Sequence, residues 1–353
     1  MLQSDSFIFL LGAGASFDAK IPVSAHMINR VEDLIINDKN WQPYKDLYYC
    51  IKSGIINGAG ITGNFSSDVI NIEVLVNTME ELIKSYEHPL YPFIGSWIPR
   101  LNEVCNNKFE KIRELKELIV EKLCNDWTKV EHSENCSYYY NFLKLQKEYN
   151  FPLSIFSLNY DLCLEKAVGK DNVQRGFALD HLWQWQNLED ESQIEEPIRL
   201  YKLHGSMDWK KTNTGEVEES DNVSPDKVAI IFGTAYKLQY VDPFLYLVNV
   251  FRKKTLAQST KGIICIGYSF NDEHINGIIS QSLKKNCEQK IISIAPIDSI
   301  EKESNERKRI IEKLNQNISV ERLILIKNTA KNWLESISCN EIENYLGTSE
   351  EPF

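Results

Sequence analysis

The sequence predicts an α/β protein: a Rossmann-like, doubly wound, mostly parallel sheet with an inserted helical subdomain. Three observations carry this. Short apolar runs alternate with amphipathic helical patterns over residues 1–39 and 151–346, as expected of a parallel sheet covered on both faces. Residues 40–150 show helical periodicity and no strand signal. The first apolar run, Phe7–Leu11, breaks into Gly12-Ala13-Gly14-Ala15-Ser16, the succession of strand, glycine turn and helix found where phosphates are bound. The division is therefore 1–39 with 151–346 as one nucleotide-binding domain, 40–150 as a helical insertion, and 347–353 as a tail.

The elements follow in order. Ser24 stands where it can cap a helix whose apolar face is Met27, Ile28, Val31, Leu34 and Ile35. Gly54, Gly58, Gly60 and Gly63 predict a flexible stretch over Gly54–Gly63, and helices follow at Ile72–Tyr86, Phe109–Trp127 and Tyr138–Tyr149. From residue 152 the alternation resumes. Strands are expected at Pro152–Ser157, Arg199–Leu203, Val228–Phe232, Gly262–Ile266, Lys290–Ile294 and Val320–Ile326. The helices between and after them are Leu162–Val168, one beginning at Pro243–Phe251, one through Ile275–Leu283, Glu301–Leu314 and a final one over Ala330–Leu346. Lys211–Asp226 and Glu189–Glu196 read as polar surface excursions, and Arg307-Lys308-Arg309 as a solvated helix face.

Composition excludes several classes. With 39 Lys+Arg against 50 Asp+Glu the formal net charge is −11. That opposes direct nucleic-acid binding and binding to anionic membranes, both of which need a basic surface. No run approaches the roughly 18 apolar residues of a membrane helix, and Met1–Asp5 carries no basic leader, so a cytoplasmic location is expected. The eight cysteines show no C-x-x-C pair, which argues for reduced thiols and against a cysteine-built zinc site. The histidines show no ligand spacing, so no metal is expected.

Chemistry collects where the strands end. Gly12–Ser16, Asn159-Tyr160-Asp161, His204-Gly205-Ser206, Gly233-Thr234, Gly267-Tyr268-Ser269 and Ala295-Pro296-Ile297-Asp298 each follow an expected strand. Ligands of open parallel sheets bind beyond those ends, so the pattern fits a nucleotide lying across the sheet top. No G-x-x-x-x-G-K-[ST] is present, and the acidic residue a dehydrogenase needs about 20 residues after its glycines falls in a helix instead. His204 beside a glycine suits a general base, or equally a helix cap. Asn159 and Asp161 suit orientation of a water or a carboxamide, with Asp161 also able to cap Leu162–Val168.

Together these segments resemble the sirtuin superfamily. Gly12-Ala13-Gly14-Ala15-Ser16, followed by Ile21-Pro22, resembles its Gly-Ala-Gly-x-Ser loop. Ser157-Leu158-Asn159-Tyr160-Asp161 resembles its Gln-Asn-x-Asp motif, and Leu203-His204-Gly205-Ser206 the segment of its catalytic histidine. Ile231-Phe232-Gly233 and Gly267-Tyr268-Ser269 resemble its later nucleotide-contacting segments. Three departures matter. Residues 205–231 hold no cysteine, where deacylases carry a four-cysteine zinc module. Val23-Ser24-Ala25 replaces Asp-Phe-Arg, and Leu158 replaces the motif glutamine. The profile is similar to the zinc-module-less sirtuin-like effectors of prokaryotic antiphage defence, whose Gly-Tyr-Ser-Phe-x-Asp resembles Gly267–Asp272.

The resemblance implies an NAD hydrolase that takes NAD as substrate, needs no zinc, and releases nicotinamide and ADP-ribose by cleaving the nicotinamide N-glycosidic bond. It would deplete NAD during infection. His204, Asn159 and Asp161 are the implied catalytic residues. His204 would accept a proton from a ribose hydroxyl or water, Asn159 would hold the ribose or the water, and Asp161 would contact the carboxamide. Gly12, Ala13, Gly14, Ser16, Gly267 and Ser269 are the implied phosphate contacts, and Asp298 the adenosine-ribose contact. Control is expected from homo-oligomers or a separately encoded partner, a HerA-type ATPase first. The alternatives are an NAD-dependent deacylase or ADP-ribosyl transferase, and a non-catalytic NAD or ADP-ribose sensor.

Overall fold

β1 (Phe7–Leu11) is five consecutive buried apolar residues, the pattern of a strand covered on both faces. In the computed structural model, which describes residues 2–64, 69–87, 99–106, 109–189, 197–232 and 242–347, β1 lies at the centre of a seven-stranded sheet. Its neighbours are β2 (Leu153–Ser157) on one side and β8 (Gly262–Ile266) on the other. β4 (Ile198–Lys202) and β3 (Val173–Gln174) continue beyond β2, while β9 (Lys290–Ala295) and β10 (Leu323–Lys327) continue beyond β8. Every pairing in this sheet is parallel. Leu11 pairs with both Ser157 and Ile266, so the carboxyl ends of the central strands lie level. The chain builds outward from β1 first through β2 and then, on the other side, through β8. The topological switch point therefore falls between β1 and β8, the crevice where such folds take ligands.

Alternate residues feed two cores. Phe9, Ile155, Leu200, Ile264 and Ile292 pack under the 3₁₀ segment Ser133–Tyr140 and the helices Asn141–Tyr149, Cys163–Val168, Ala330–Ser336 and Cys339–Leu346. Ile8, Leu10, Phe156, Tyr201, Ile263 and Ile291 face helices Phe244–Thr255, Glu273–Lys285 and Ile300–Leu314. A third core joins helix Ser24–Asn37 to Lys45–Ile61, Ile72–Glu87, Pro99–Val104 and Glu110–Lys122, and it includes Tyr160, Val228, Ile230 and Phe232.

Several expectations need correction. Val228–Phe232 is not a strand of the parallel sheet. β7 (Val228–Ile230) belongs to a separate antiparallel sheet with β5 (Gly205–Lys211) and β6 (Val217–Glu219). Only Leu203 and His204 separate β4 from β5, too few for the crossover that a parallel neighbour requires. β6 also gives order to the expected excursion at Lys211–Asp226, because Val217 is buried. The glycine-rich stretch is helical up to Ile61: Leu47, Tyr48 and Ile51 anchor the helix start, and packing there overrides the roughly 1 kcal/mol penalty of each interior glycine. Val23, not Ser24, is the cap position of the first long helix, and no side chain caps it. The expected helices at 109–127 and 138–149 are Glu110–Lys122 continued by one π-turn, and a 3₁₀ segment leading into Asn141–Tyr149. The final helix is two, because the Ser338 side chain accepts from the Glu341 amide and starts a new one. Gly233-Thr234, residues 190–196 and residues 348–353 lie outside the described residues.

Candidate active site

The glycine loop at the switch point is built by backbone packed on backbone. Gly12 N donates to Ile266 O at 3.0 Å and Gly14 N to Gly267 O at 3.0 Å, while Gly267 N donates to Ile294 O at 3.1 Å. Gly267 has φ +60°, and a Cβ there would lie 2.2 Å from Ala15 N. A Cβ on Gly12 would lie 2.6 Å from Gly267 O. The expected role of these glycines is approach to a pyrophosphate; in the structure they let the loops after β1 and β8 approach each other. Ala13 and Ser269 are exposed at the rim and Gly14 is half-buried. Ser16 faces inward, fully buried, with its hydroxyl 3.0 Å from Tyr139 Oη.

Asn159, at the end of β2, is buried and donates from Nδ2 to Gly12 O at 2.9 Å and Ser16 Oγ at 3.3 Å. It ties the second strand end to the first loop. Asp161 accepts from Cys163 N at 3.0 Å, an Asx turn leading into helix Cys163–Val168; it is not the cap foreseen for it, since Leu162 holds the cap position and no side chain caps the helix. Its carboxylate neighbours Cys163, where a hydrogen bond with Cys136 and burial push the thiol up.

His204, at the end of β4, is buried, and its Nε2 lies 3.0 Å from Oδ2 of Asp272. Asp272 caps helix Glu273–Lys285: its Oδ1 accepts from His274 N at 3.0 Å and Ile275 N at 3.1 Å. The imidazole thus joins β4 to the segment after β8, across the tops of β2 and β1. Tyr160 stands 6.5 Å from the imidazole, ring to ring, and its hydroxyl donates to Ile231 O at 2.8 Å. Burial, then the Glu73 and Asp272 carboxylates, raise its phenol well above the usual range.

Beneath this rim lies a buried charge network. Arg175 pairs with Asp208 at 2.9 Å, Glu219 at 2.5 Å and Glu165 at 3.4 Å. Lys202 stands 3.5 Å from Glu165 and donates to Asp161 O. Burial pushes the Asp208 carboxyl up, but Arg175, Ser206 and Lys202 outweigh this and hold it below the usual carboxylate range.

Asp298 is set apart from His204, exposed, with Oδ2 at 2.6 Å from Lys302 Nζ. Just beside it a cavity of about 390 Å³ is lined by Ala295, Pro296, Ile297, Lys302, Asn305, Glu306 and Arg309. Arg309 donates to Ser269 O, so the basic run is engaged at the rim and is not a plain solvated face. A larger cavity of about 640 Å³, between Cys124–Val130 and Asp221–Pro225, does not include His204 among its lining residues. Among the described residues no group of three or more His, Cys, Asp or Glu side chains is placed to hold a metal, and no helix is long and apolar enough to cross a membrane.

The structure therefore joins Gly12, Ser16 and Asn159 in one hydrogen-bonded cluster, with Gly14 and Gly267 against it. Asp272 was read only as the last residue of the Gly267–Asp272 motif and Arg309 only as part of a solvated basic run, and neither was expected as a site residue. Asp272 carries a readable signal, an Asp directly before an amphipathic helix; Arg309 carries none.

A family model described as "SIR2-like domain" matches residues 153–319. No curated protein matches the chain. A solved structure described as "Structural Basis for the Mechanism and Regulation of Sir2 Enzymes" aligns with a TM-score of 0.35 and 10% identity, over 68% of this chain and 81% of that one. Residues 153–319 of this chain, which hold Asn159, Asp161, His204, Gly267 and Asp272, are thus similar to the SIR2-like domain.

Proposed function

We propose that this protein is an NAD glycohydrolase that releases nicotinamide and ADP-ribose, the zinc-independent activity its motif departures imply. The observation that carries the reading is the buried His204–Asp272 pair at the carboxyl rim of a parallel sheet, inside the segment similar to the SIR2-like domain. The rim also fits an anionic dinucleotide. Ala13 and Ser269 are exposed there, and Lys302 and Arg309 line the neighbouring cavity, paired with Asp298 and Glu306, whose pairings the dinucleotide phosphates would compete for.

The bond to be broken joins ribose to a pyridinium, which departs neutral, so no strong acid is required of the protein. The chain's own task is to hold the sugar and take up a proton. His204 accepts that proton from a ribose hydroxyl or the attacking water, a contribution of roughly 10²–10⁴-fold. Asn159 stands at the sugar end, releasing its hydrogen bond to Gly12 O as substrate enters. Arg309 and Lys302 supply the positive charge at the phosphate and adenosine end. Asp161, whose Oδ1 accepts from Cys163 N, is the contact to the carboxamide.

In the cell the enzyme is a cytoplasmic, NAD-depleting effector of antiphage defence, assembled as a homo-oligomer or restrained by a separate partner such as a HerA-type ATPase. Quantifying nicotinamide and ADP-ribose from NAD tests the activity, with and without an acylated peptide. Release without the peptide, lost in folded His204→Ala and Asn159→Ala, is expected. Release that survives both substitutions, or that depends on the peptide, overturns the proposal.

A further inference from the structure

We infer that Asp272 is the positioning residue of His204 and that Nδ1, not Nε2, is the imidazole nitrogen that exchanges a proton. The inference rests on the hydrolase reading for its kinetic consequence, but not for its structural one. A carboxylate oxygen can only accept, so the proton between Asp272 Oδ2 and His204 Nε2, 3.0 Å apart, sits on Nε2. A neutral imidazole carries one N–H, and Nδ1 is then the basic nitrogen. Asp272 is itself held: two backbone amides of helix Glu273–Lys285 fix Oδ1, and the helix N-terminus favours its negative charge.

The backbone that carries the imidazole is fixed. Its own carbonyl accepts from Ile231 N at 3.0 Å. The next residue, Gly205, has φ +83° and sits so close to β7 that a Cβ would lie 2.0 Å from Ala229 O. The ring orientation is thus decided by Asp272, which arrives from the far side of the switch point. Any shift of residues 267–272 moves the orienting carboxylate as well.

Asp272→Asn tests this. The side-chain oxygen still accepts from the His274 and Ile275 amides, so the cap is kept. The amide NH₂ then faces Nε2, which must accept, and the proton moves to Nδ1. Nitrogen-15 NMR of the full chain, with the His204 signals assigned by their loss in His204→Gln, reads the tautomer directly. The expected wild-type form is Nε2–H, changing to Nδ1–H in Asp272→Asn. Nicotinamide release from NAD should fall about 10²–10⁴-fold with KM and melting temperature nearly unchanged. A purely capping Asp272 predicts wild-type rates for Asp272→Asn and overturns the inference. So does a wild-type Nδ1–H tautomer, or a rate loss without tautomer exchange. If wild type releases no nicotinamide, the hydrolase reading fails and the tautomer alone decides the inference. Should Asp272→Asn not fold, Asp272→Ser keeps a cap acceptor and withdraws from Nε2, and a mixed tautomer is expected; a pure Nε2–H form there overturns the inference equally.

Discussion

Two buried ionisable clusters flank the end of β4, two residues apart in sequence, and they are built differently. Lys202 belongs to a network in which Arg175 meets three carboxylates and Lys202 meets a fourth acceptor, the Asp161 carbonyl. His204 meets one carboxylate, which is itself held by backbone amides. In the first cluster charge is compensated on several sides, as burial demands. In the second a carboxylate held by backbone amides orients the imidazole. The first arrangement suits a cluster that holds the fold; the second makes the geometry of one ring depend on one helix start.

Substitutions should separate the two clusters. Arg175→Ala leaves three carboxylates around a vacated cation and should remove about 3–5 kcal/mol of stability, read by urea unfolding. His204→Ala should remove only about 1–2 kcal/mol, because Asp272 keeps its backbone partners, yet nicotinamide release should vanish. Equal stability losses would dissolve the contrast. Gly267→Ala should cost about 2–4 kcal/mol, combining a positive φ with a Cβ pressed on the first loop. A wild-type unfolding midpoint there would mean that the loops are not packed as described.

Acid should act on the first cluster. The Asp208 carboxyl is held low in the fold, so its stabilisation is complete above the unfolded carboxylate value of about 4 and is lost as pH falls through the folded value. Asp208→Asn should flatten the fall in stability below about pH 4; an unaltered acid limb would assign that fall to other groups. The smallest effect should come from Arg309→Ala, a several-fold rise in KM for NAD at unchanged kcat, since a partly exposed cation contributes about 1 kcal/mol. A fall in kcat alone would move Arg309 from binding to the reacting end.

Much of this was legible from residue order. β1 and β8 were readable because strands buried on both faces form continuous apolar runs, and β2, β4 and β9 because apolar residues dominate theirs, although β4 also buries Arg199 and Lys202. His204 and Asn159 were readable because they follow such runs directly. The antiparallel sheet was not: Val228–Phe232 is as apolar as a parallel strand, and only the antiparallel pairing of β7 with β5 takes it out of the main sheet. Nor were the inward turn of Ser16 and the exposure of Asp298, since a motif says nothing about which way a side chain faces.

By itself, then, the sequence determined the sheet, its apolar periodicity and the strand-end positions where chemistry can sit, because burial imposes a local pattern on each element. Only the tertiary structure decided which strand ends meet. The His204–Asp272 contact spans 68 residues, and Asn159 reaches Gly12 across 147. Those distances are set by the order in which strands join the sheet, a property of the whole chain that no local window contains.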